Sequence, residues 1–184
     1  MPGSVVSIHT APERGAPMRS AQQVNALAGR GLEGDRYFDH NTRLSQNPAR
    51  ACAITLIEAE ALEALEREHG VRLEPHESRR NIVTRGVALN ELVGREFRVG
   101  EVVLRGLMLC EPCRHLEKLT GKQLIRGLVH RGGLRAEIRR GGVIRVGDAV
   151  EVEAQPVPSG TAGPLPRPGW ERGVGAVPSA SPGP

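Results

Sequence analysis

Between Leu134 and Glu153 the chain alternates apolar with charged residues and is cut at intervals by glycine, a period that a strand can bury on one face and a helix cannot. Leu134, Ala136 and Ile138 alternate with Arg135, Glu137 and Arg139. Gly141-Gly142 then predicts a tight hairpin turn tolerant of positive φ, with residues 143–146 returning beside the first strand. Gly147-Asp148 marks another turn before the alternating Val150-Glu151-Val152-Glu153. Residues 95–99 and 101–109 read as two strands across Gly100, the second apolar on both faces as in a closed or layered sheet. Residues 5–8 and 53–57 are further strand candidates.

Helical signals are fewer. Residues 58–69 carry Leu62 and Leu65 on one face, with Gly70 as a C-terminal stop. Residues 112–120 predict a second helix, with Pro112 at its first position, Leu116 and Leu119 inward and Gly121 closing it. A third short helix is expected within 123–129. Many short strands with few helices predict a mainly β chain, a barrel or sandwich with short helical insertions, in place of a doubly wound parallel sheet. The 31 residues after Glu153 hold eight prolines, six glycines and only three charged residues, so one domain over 1–153 and a disordered Pro/Gly-rich tail over 154–184 are expected, with Trp170 the tail's docking handle.

Composition narrows the function. Four aromatics, Tyr37, Phe38, Phe97 and Trp170, cannot build a stacking platform for single strands. Acids interleave with bases nearly everywhere, which argues against nucleic acid as a partner. A mean hydropathy of −0.31 with no long apolar run argues against a membrane span. The start lacks a secretory pattern, so a cytoplasmic location is expected. Of 25 cationic residues, 23 are arginines, side chains that grip phosphate and carboxylate bidentately and keep an anionic small molecule in view.

Three cysteines make no disulfide framework. Cys52 sits in an apolar stretch and reads as core. Cys110-Glu111-Pro112-Cys113-Arg114-His115 places two thiols where an apolar strand ends and a helix begins, and a helix N-terminus with an adjacent arginine favours a thiolate at Cys113. The segment alone leaves several readings open: two structural cysteines; a zinc site from Cys110, Cys113, His115 and His130; a redox pair, which would want a βαβ setting; or one working thiol for sulfur transfer or a metal-bearing cofactor.

Several ordered blocks carry a family resemblance: Gly31-Leu32-Glu33-Gly34-Asp35-Arg36-Tyr37, Thr55-Leu56-Ile57-Glu58, Arg79-Arg80-Asn81-Ile82-Val83, Leu89-Asn90-Glu91-Leu92-Val93-Gly94, Cys110-Glu111-Pro112-Cys113, Arg131-Gly132-Gly133-Leu134-Arg135-Ala136 and Gly147-Asp148. The chain resembles the MOSC domain of molybdenum-cofactor sulfurases, and among its members the small free-standing bacterial ones, from about Val5 to Val152. The resemblance implies a MOSC-type β-barrel and a cysteine that carries sulfur or coordinates the metal of molybdenum cofactor (molybdopterin), which maps to Cys113, with Cys110 a possible auxiliary ligand. It implies sulfur transfer or molybdenum-dependent reduction of N-hydroxylated compounds. Pyridoxal phosphate would enter only through a cysteine-desulfurase-like partner; an electron-transfer protein is the other partner expected. The cofactor is an anionic pterin with a soft metal, so Arg79, Arg80, Asn81, Arg114, His130 and Arg135 are its candidate anchors. Gly34-Asp35-Arg36 reads as a structural turn with a local ion pair. A non-enzymatic module, zinc-stabilised or metal-free, is the alternative.

Overall fold

The computed structural model describes residues 3–38 and 53–152. Cys52, Trp170 and the expected tail with its boundary at Glu153 lie outside the described residues. The protein is mainly β. Its strands are β1 (Gly3–Thr10), β2 (Arg19–Ala21), β3 (Gln23–Leu27), β4 (Gly31–Leu32), β5 (Ile54–Glu58), β6 (Ile82–Arg85), β7 (Glu96–Val99), β8 (Val102–Leu109), β9 (Leu134–Arg140), β10 (Gly142–Arg145) and β11 (Ala149–Val152).

Seven of them close a barrel in the order β11-β7-β8-β9-β5-β6-β1, and β1 completes the ring by pairing with β11 through Gly3 and Val150. Closure removes the sheet edges that would otherwise need protection. The inward residues form one core around Phe97, Ile8, Ile54, Leu56, Leu104 and Leu134. β5 and β6 pair in parallel, joined by the crossover helix α1 (Ala59–His69), a local βαβ unit that the sequence reading did not anticipate. Their inner residues join the barrel core, while Ile57 and Val83 face a second core with Leu62 and Leu65 of α1. With both faces covered, residues 54–57 of β5 are all buried, Thr55 included. Gly70 ends α1 in a left-handed conformation, as its position predicted.

Two helix assignments change. The helix α2 spans Arg114–Thr120, so Pro112 precedes it and Cys113 is its N-cap residue, with an extended backbone of φ −141° and ψ 162°. Leu116 is buried in the second core, but Leu119 is 41% exposed because α2 turns only one narrow face inward. The helix α3 is a single turn, Ile125–Leu128. Two short 3-10 turns, Pro75–Ser78 and Leu89–Leu92, complete the helical segments among the described residues.

The predicted β9–β10 hairpin does not form. β10 leaves the barrel and pairs with β3, Val143 opposite Asn25 and Ile144 opposite Val24, in a separate sheet β10-β3-β4. Neither Gly141 nor Gly142 has a positive φ. Crowding explains them instead: a Cβ on Gly141 would sit 2.6 Å from the Ala26 carbonyl oxygen, and one on Gly142 would sit 2.7 Å from the Glu101 side chain.

Conformation and crowding can be separated by experiment. Gly147 has φ 91° and open space beyond it, whereas Gly133 has φ 106° and would place a Cβ 2.0 Å from the Leu56 carbonyl oxygen on β5. Gly147→Ala is expected to cost about 1–2 kcal/mol. Gly133→Ala should cost more than twice as much, since backbone must also move. Urea unfolding of both variants checks this, and equal costs would show that the β5–β9 contact yields easily.

Candidate functional site

The residues Arg79-Arg80-Asn81, just before β6, send three neighbouring side chains to three different tasks. Asn81 is fully buried and its carboxamide is spent inside the fold. Its Oδ1 accepts from the Thr55 N–H at 3.1 Å and the Thr55 hydroxyl at 2.8 Å, and its Nδ2 donates to the His9 carbonyl at 3.1 Å and to Asp35 Oδ1 at 3.0 Å. Asp35 in turn accepts from the backbone N–H groups of Ala11 at 3.1 Å and Tyr37 at 3.2 Å, and pairs with Arg36 at 3.3 Å. The Gly34-Asp35-Arg36 turn is thus a structural device with a local ion pair, as read, and it also delivers Arg36 to the site.

Arg80 is buried and bridges three carbonyls. Its guanidinium donates to Gly132 O at 2.8 Å, Cys110 O at 2.8 Å and Ser78 O at 3.1 Å. Cys110 is further fixed by its own N–H, which donates to Gly133 O at 2.7 Å. A Cβ on Gly132 would lie 2.4 Å from the Cys110 carbonyl oxygen, so the cysteine segment and the Gly132-Gly133 segment touch backbone to backbone.

Arg79 adopts a left-handed backbone, φ 59°, at the end of the 3-10 turn Pro75–Ser78. This swings its side chain away from Arg80 toward the β1–β2 connection, where Nη1 donates to Ala16 O at 2.7 Å. Nη2 is buried and has no hydrogen-bond partner among the described residues. Burial, then the neighbouring Arg36 guanidinium, pulls Arg79 below the ordinary arginine value, although a guanidinium stays charged at any physiological pH. Arg36 lies over the Tyr37 ring at 4.6 Å and donates to Arg79 O at 3.0 Å.

These groups surround a pocket of about 490 Å³, within the range that takes a small-molecule ligand. Five arginines line it: Arg14, Arg36, Arg79, Arg80 and Arg135. Glu111 is the one carboxylate on its wall among the described residues, and it is bonded to His130. Cys110, Cys113 and His115 line it as well. Cys110 is buried and Cys113 is exposed, and both are free thiols.

The wall therefore brings together Cys113, Cys110, Arg79, Arg80 and Arg135 of the expected site. Asn81, Arg114 and His130 are not on it. Asn81 has no valence left for a ligand, and Arg114 points outward from the first turn of α2. The backbone N–H and ring Nδ1 of His130 hold Glu111, and its carbonyl accepts from Asn90. No group of three or more metal-binding side chains gathers among the described residues, so Cys110, Cys113, His115 and His130 do not form the zinc quartet that their spacing allowed. Arg14, Tyr37 and Thr55 also line the pocket and were missed, since nothing local in the sequence ties them to Cys113.

The MOSC domain model matches residues 34–151, most of the chain. The chain belongs to the MOSC domain family. No curated protein matches its sequence. Among solved structures it is similar in fold to the YuaD protein of Bacillus subtilis, at 17% identity and a TM-score of 0.70 over 83% of this chain and 96% of that one. It is also similar to YiiM of Geobacillus stearothermophilus, at 16% identity and 0.63 over 85% and 78%, and to YiiM of Escherichia coli, at 17% and 0.58 over 83% and 70%. Within this MOSC domain the pocket sits where the Arg79-Arg80-Asn81, Cys110–Cys113 and Gly132–Arg135 blocks meet. No helix among the described residues is long and apolar enough to cross a membrane.

The grip of Arg80 on the cysteine segment is testable. Arg80→Lys keeps the charge but offers a compact ammonium in place of a fork that reaches three carbonyls. At least one buried carbonyl should lose its donor, at about 1–3 kcal/mol. A lower unfolding midpoint and faster alkylation of buried Cys110 by a neutral maleimide are expected. Unchanged protection of Cys110 would show that other contacts hold the segment.

Proposed function

We propose that this MOSC domain binds molybdenum cofactor in the arginine-lined pocket and uses Cys113 as its working thiolate, either as a metal ligand or as a sulfur carrier. The observation that carries the reading is the pairing of an exposed thiol with a wall of five guanidiniums in one pocket. The residues fit the group on two counts. Arg79 Nη2 is a buried donor lacking an acceptor, which an anionic phosphate would supply. The Cys113 thiolate is a soft ligand suited to molybdenum. Arg36, Arg79 and Arg135 would hold the anionic pterin, while Arg80 keeps the Cys110 backbone in place. Cys110, buried beside the same pocket, would be auxiliary.

When bound, the cofactor supplies a redox-active metal able to exchange oxygen or sulfur ligands. Two activities share these residues. With Cys113 retained on the metal, the protein would reduce N-hydroxylated compounds with electrons from a partner protein. As a carrier, the Cys113 thiolate would attack the terminal sulfur of a donor persulfide; the donor S–S bond breaks, the donor leaves as a thiolate, and Cys113 is left as a persulfide. A pyridoxal-phosphate desulfurase is the chemical class of partner that makes such a donor. A cytoplasmic setting, where thiols stay reduced, accords with either activity.

Purification from a molybdenum-replete host tests the reading. The wild type should retain molybdenum, or show by intact mass one added sulfur on Cys113 after exposure to a persulfide donor. Cys113→Ser should abolish both, and Cys110→Ser should reduce them less. Equal retention by wild type and Cys113→Ser would reject the assignment, as would stoichiometric zinc in place of molybdenum.

A further inference from the structure

The net charge of +4 has one address. Residues 114–131, which cover α2 and α3, contain Arg114, Lys118, Lys122, Arg126 and Arg131 against a single acid, Glu117. That is five of the 25 cationic residues and one of the 21 acidic ones, which leaves twenty of each elsewhere and a remainder of no net charge. Both lysines of the chain are in this segment.

Glu117 offsets only one of the five cations. Its Oε1 accepts from the backbone N–H groups of Leu124 at 2.7 Å and Ile125 at 2.9 Å, so the carboxylate is committed to tying α3 against α2. Its acidity is raised by those bonds first and by Arg114 only last. Lys122 pairs with Glu77 and Arg131 with Glu68 at the margins. The side chains of Arg114, Lys118 and Arg126 make no hydrogen bond or ion pair among the described residues, and all three residues are exposed.

The same segment also exposes aliphatic side chains. Leu116, Leu124 and Leu128 turn inward to the second core, and the outward side shows Leu119 at 41%, Ile125 at 36% and Val129 at 45% exposure. Exposed aliphatics together with unpaired cations are a combination that a protein interface uses, the first for burial and the second for steering. Duplex or single-stranded nucleic acid would use the cations, but it would gain nothing from three exposed aliphatics and finds no aromatic here to stack on. Helices of seven and four residues without Trp or Phe are poor membrane-surface anchors. A second copy would bring cations against cations across a two-fold axis.

We infer that the α2–α3 corner is a docking surface for a protein partner with an acidic face, seated beside Cys113, which is the N-cap residue of α2. The inference rests on the surface itself and holds whether or not the pocket binds molybdenum cofactor.

The full chain, labelled for amide spectroscopy, can be titrated with a synthetic acidic peptide that mixes Glu and Leu, with a Gln-for-Glu peptide as control. Saturable shifts confined to residues 113–131, weakened by salt and absent with the control, are expected. The double variant Lys118→Glu/Arg126→Glu, at exposed positions without contacts to lose, should weaken binding by about tenfold or more while its spectrum elsewhere stays that of the wild type. The inference is overturned if the peptide does not bind, if shifts fall outside the corner, or if charge reversal leaves affinity unchanged. It is equally overturned if duplex DNA, or vesicles of phosphatidylglycerol, perturb these residues at lower concentration than the acidic peptide does. Loss of this binding with molybdenum retention intact would remove the docking surface and leave the pocket reading standing.

Discussion

One carboxamide holds the site together. Asn81 uses both amide hydrogens and both lone pairs within the fold, reaching β1 through His9, the Asp35 turn, and β5 through Thr55. At about 1 kcal/mol net for each neutral hydrogen bond, the stabilisation is modest, but leaving any of these buried partners unmade costs more than making it returns. The network therefore acts as a positional constraint. With Asn81 fixed, its neighbour Arg80 can reach only the Cys110 and Gly132 carbonyls and the local Ser78 carbonyl, and Arg79, in a left-handed backbone, is turned the other way.

Electrostatics follow from that geometry. Five guanidiniums around one pocket repel each other, and Arg79 feels Arg36 as well as its own burial. The fold offsets part of this with the Asp35 carboxylate beneath Arg36, with carbonyls turned toward Arg79 and Arg80, and with the Tyr37 ring under Arg36. Glu111, the carboxylate on the wall, is drawn toward His130. An anion entering the pocket gains from charges that are already desolvated and oriented, so little further reorganisation is needed to bind it.

Much of this was legible in the sequence where signals are local. Period-two alternation located β9 and β11, glycine located the end of α1, and the Cys110–Cys113 spacing located one wall of the pocket. Gly141-Gly142 misled because glycine serves close approach as well as positive φ, and sequence alone does not say which. Pro112 misled because a proline can stand just before a helix as well as within its first turn. Arg14 and Arg36 stand 99 and 77 residues before Cys113, and only closure of the barrel brings them to it. Asn81 was read as an anchor because it stands beside two arginines suited to an anionic pterin, yet the Thr55 and Asp35 groups that consume its valences lie far off in the chain.

Positive charge occurs in two settings that differ in kind. Arg36, Arg79 and Arg80 of the pocket are wholly or partly buried and tied to carbonyls, so solvent and salt screen them weakly and their positions are fixed. The cations of α2 and α3 are exposed on side chains that make few bonds, so their field extends outward but fades within about a Debye length, ~8–10 Å at ordinary ionic strength. Fixed, desolvated charge suits a ligand recognised atom by atom, and exposed charge suits an encounter steered before contact. Cys113 stands at the junction, lining the pocket with its side chain and beginning the basic helix with its backbone. Fixed and exposed charge thus meet at one residue, because the strand-to-helix turn that closes the pocket wall is also the turn that starts the basic helix.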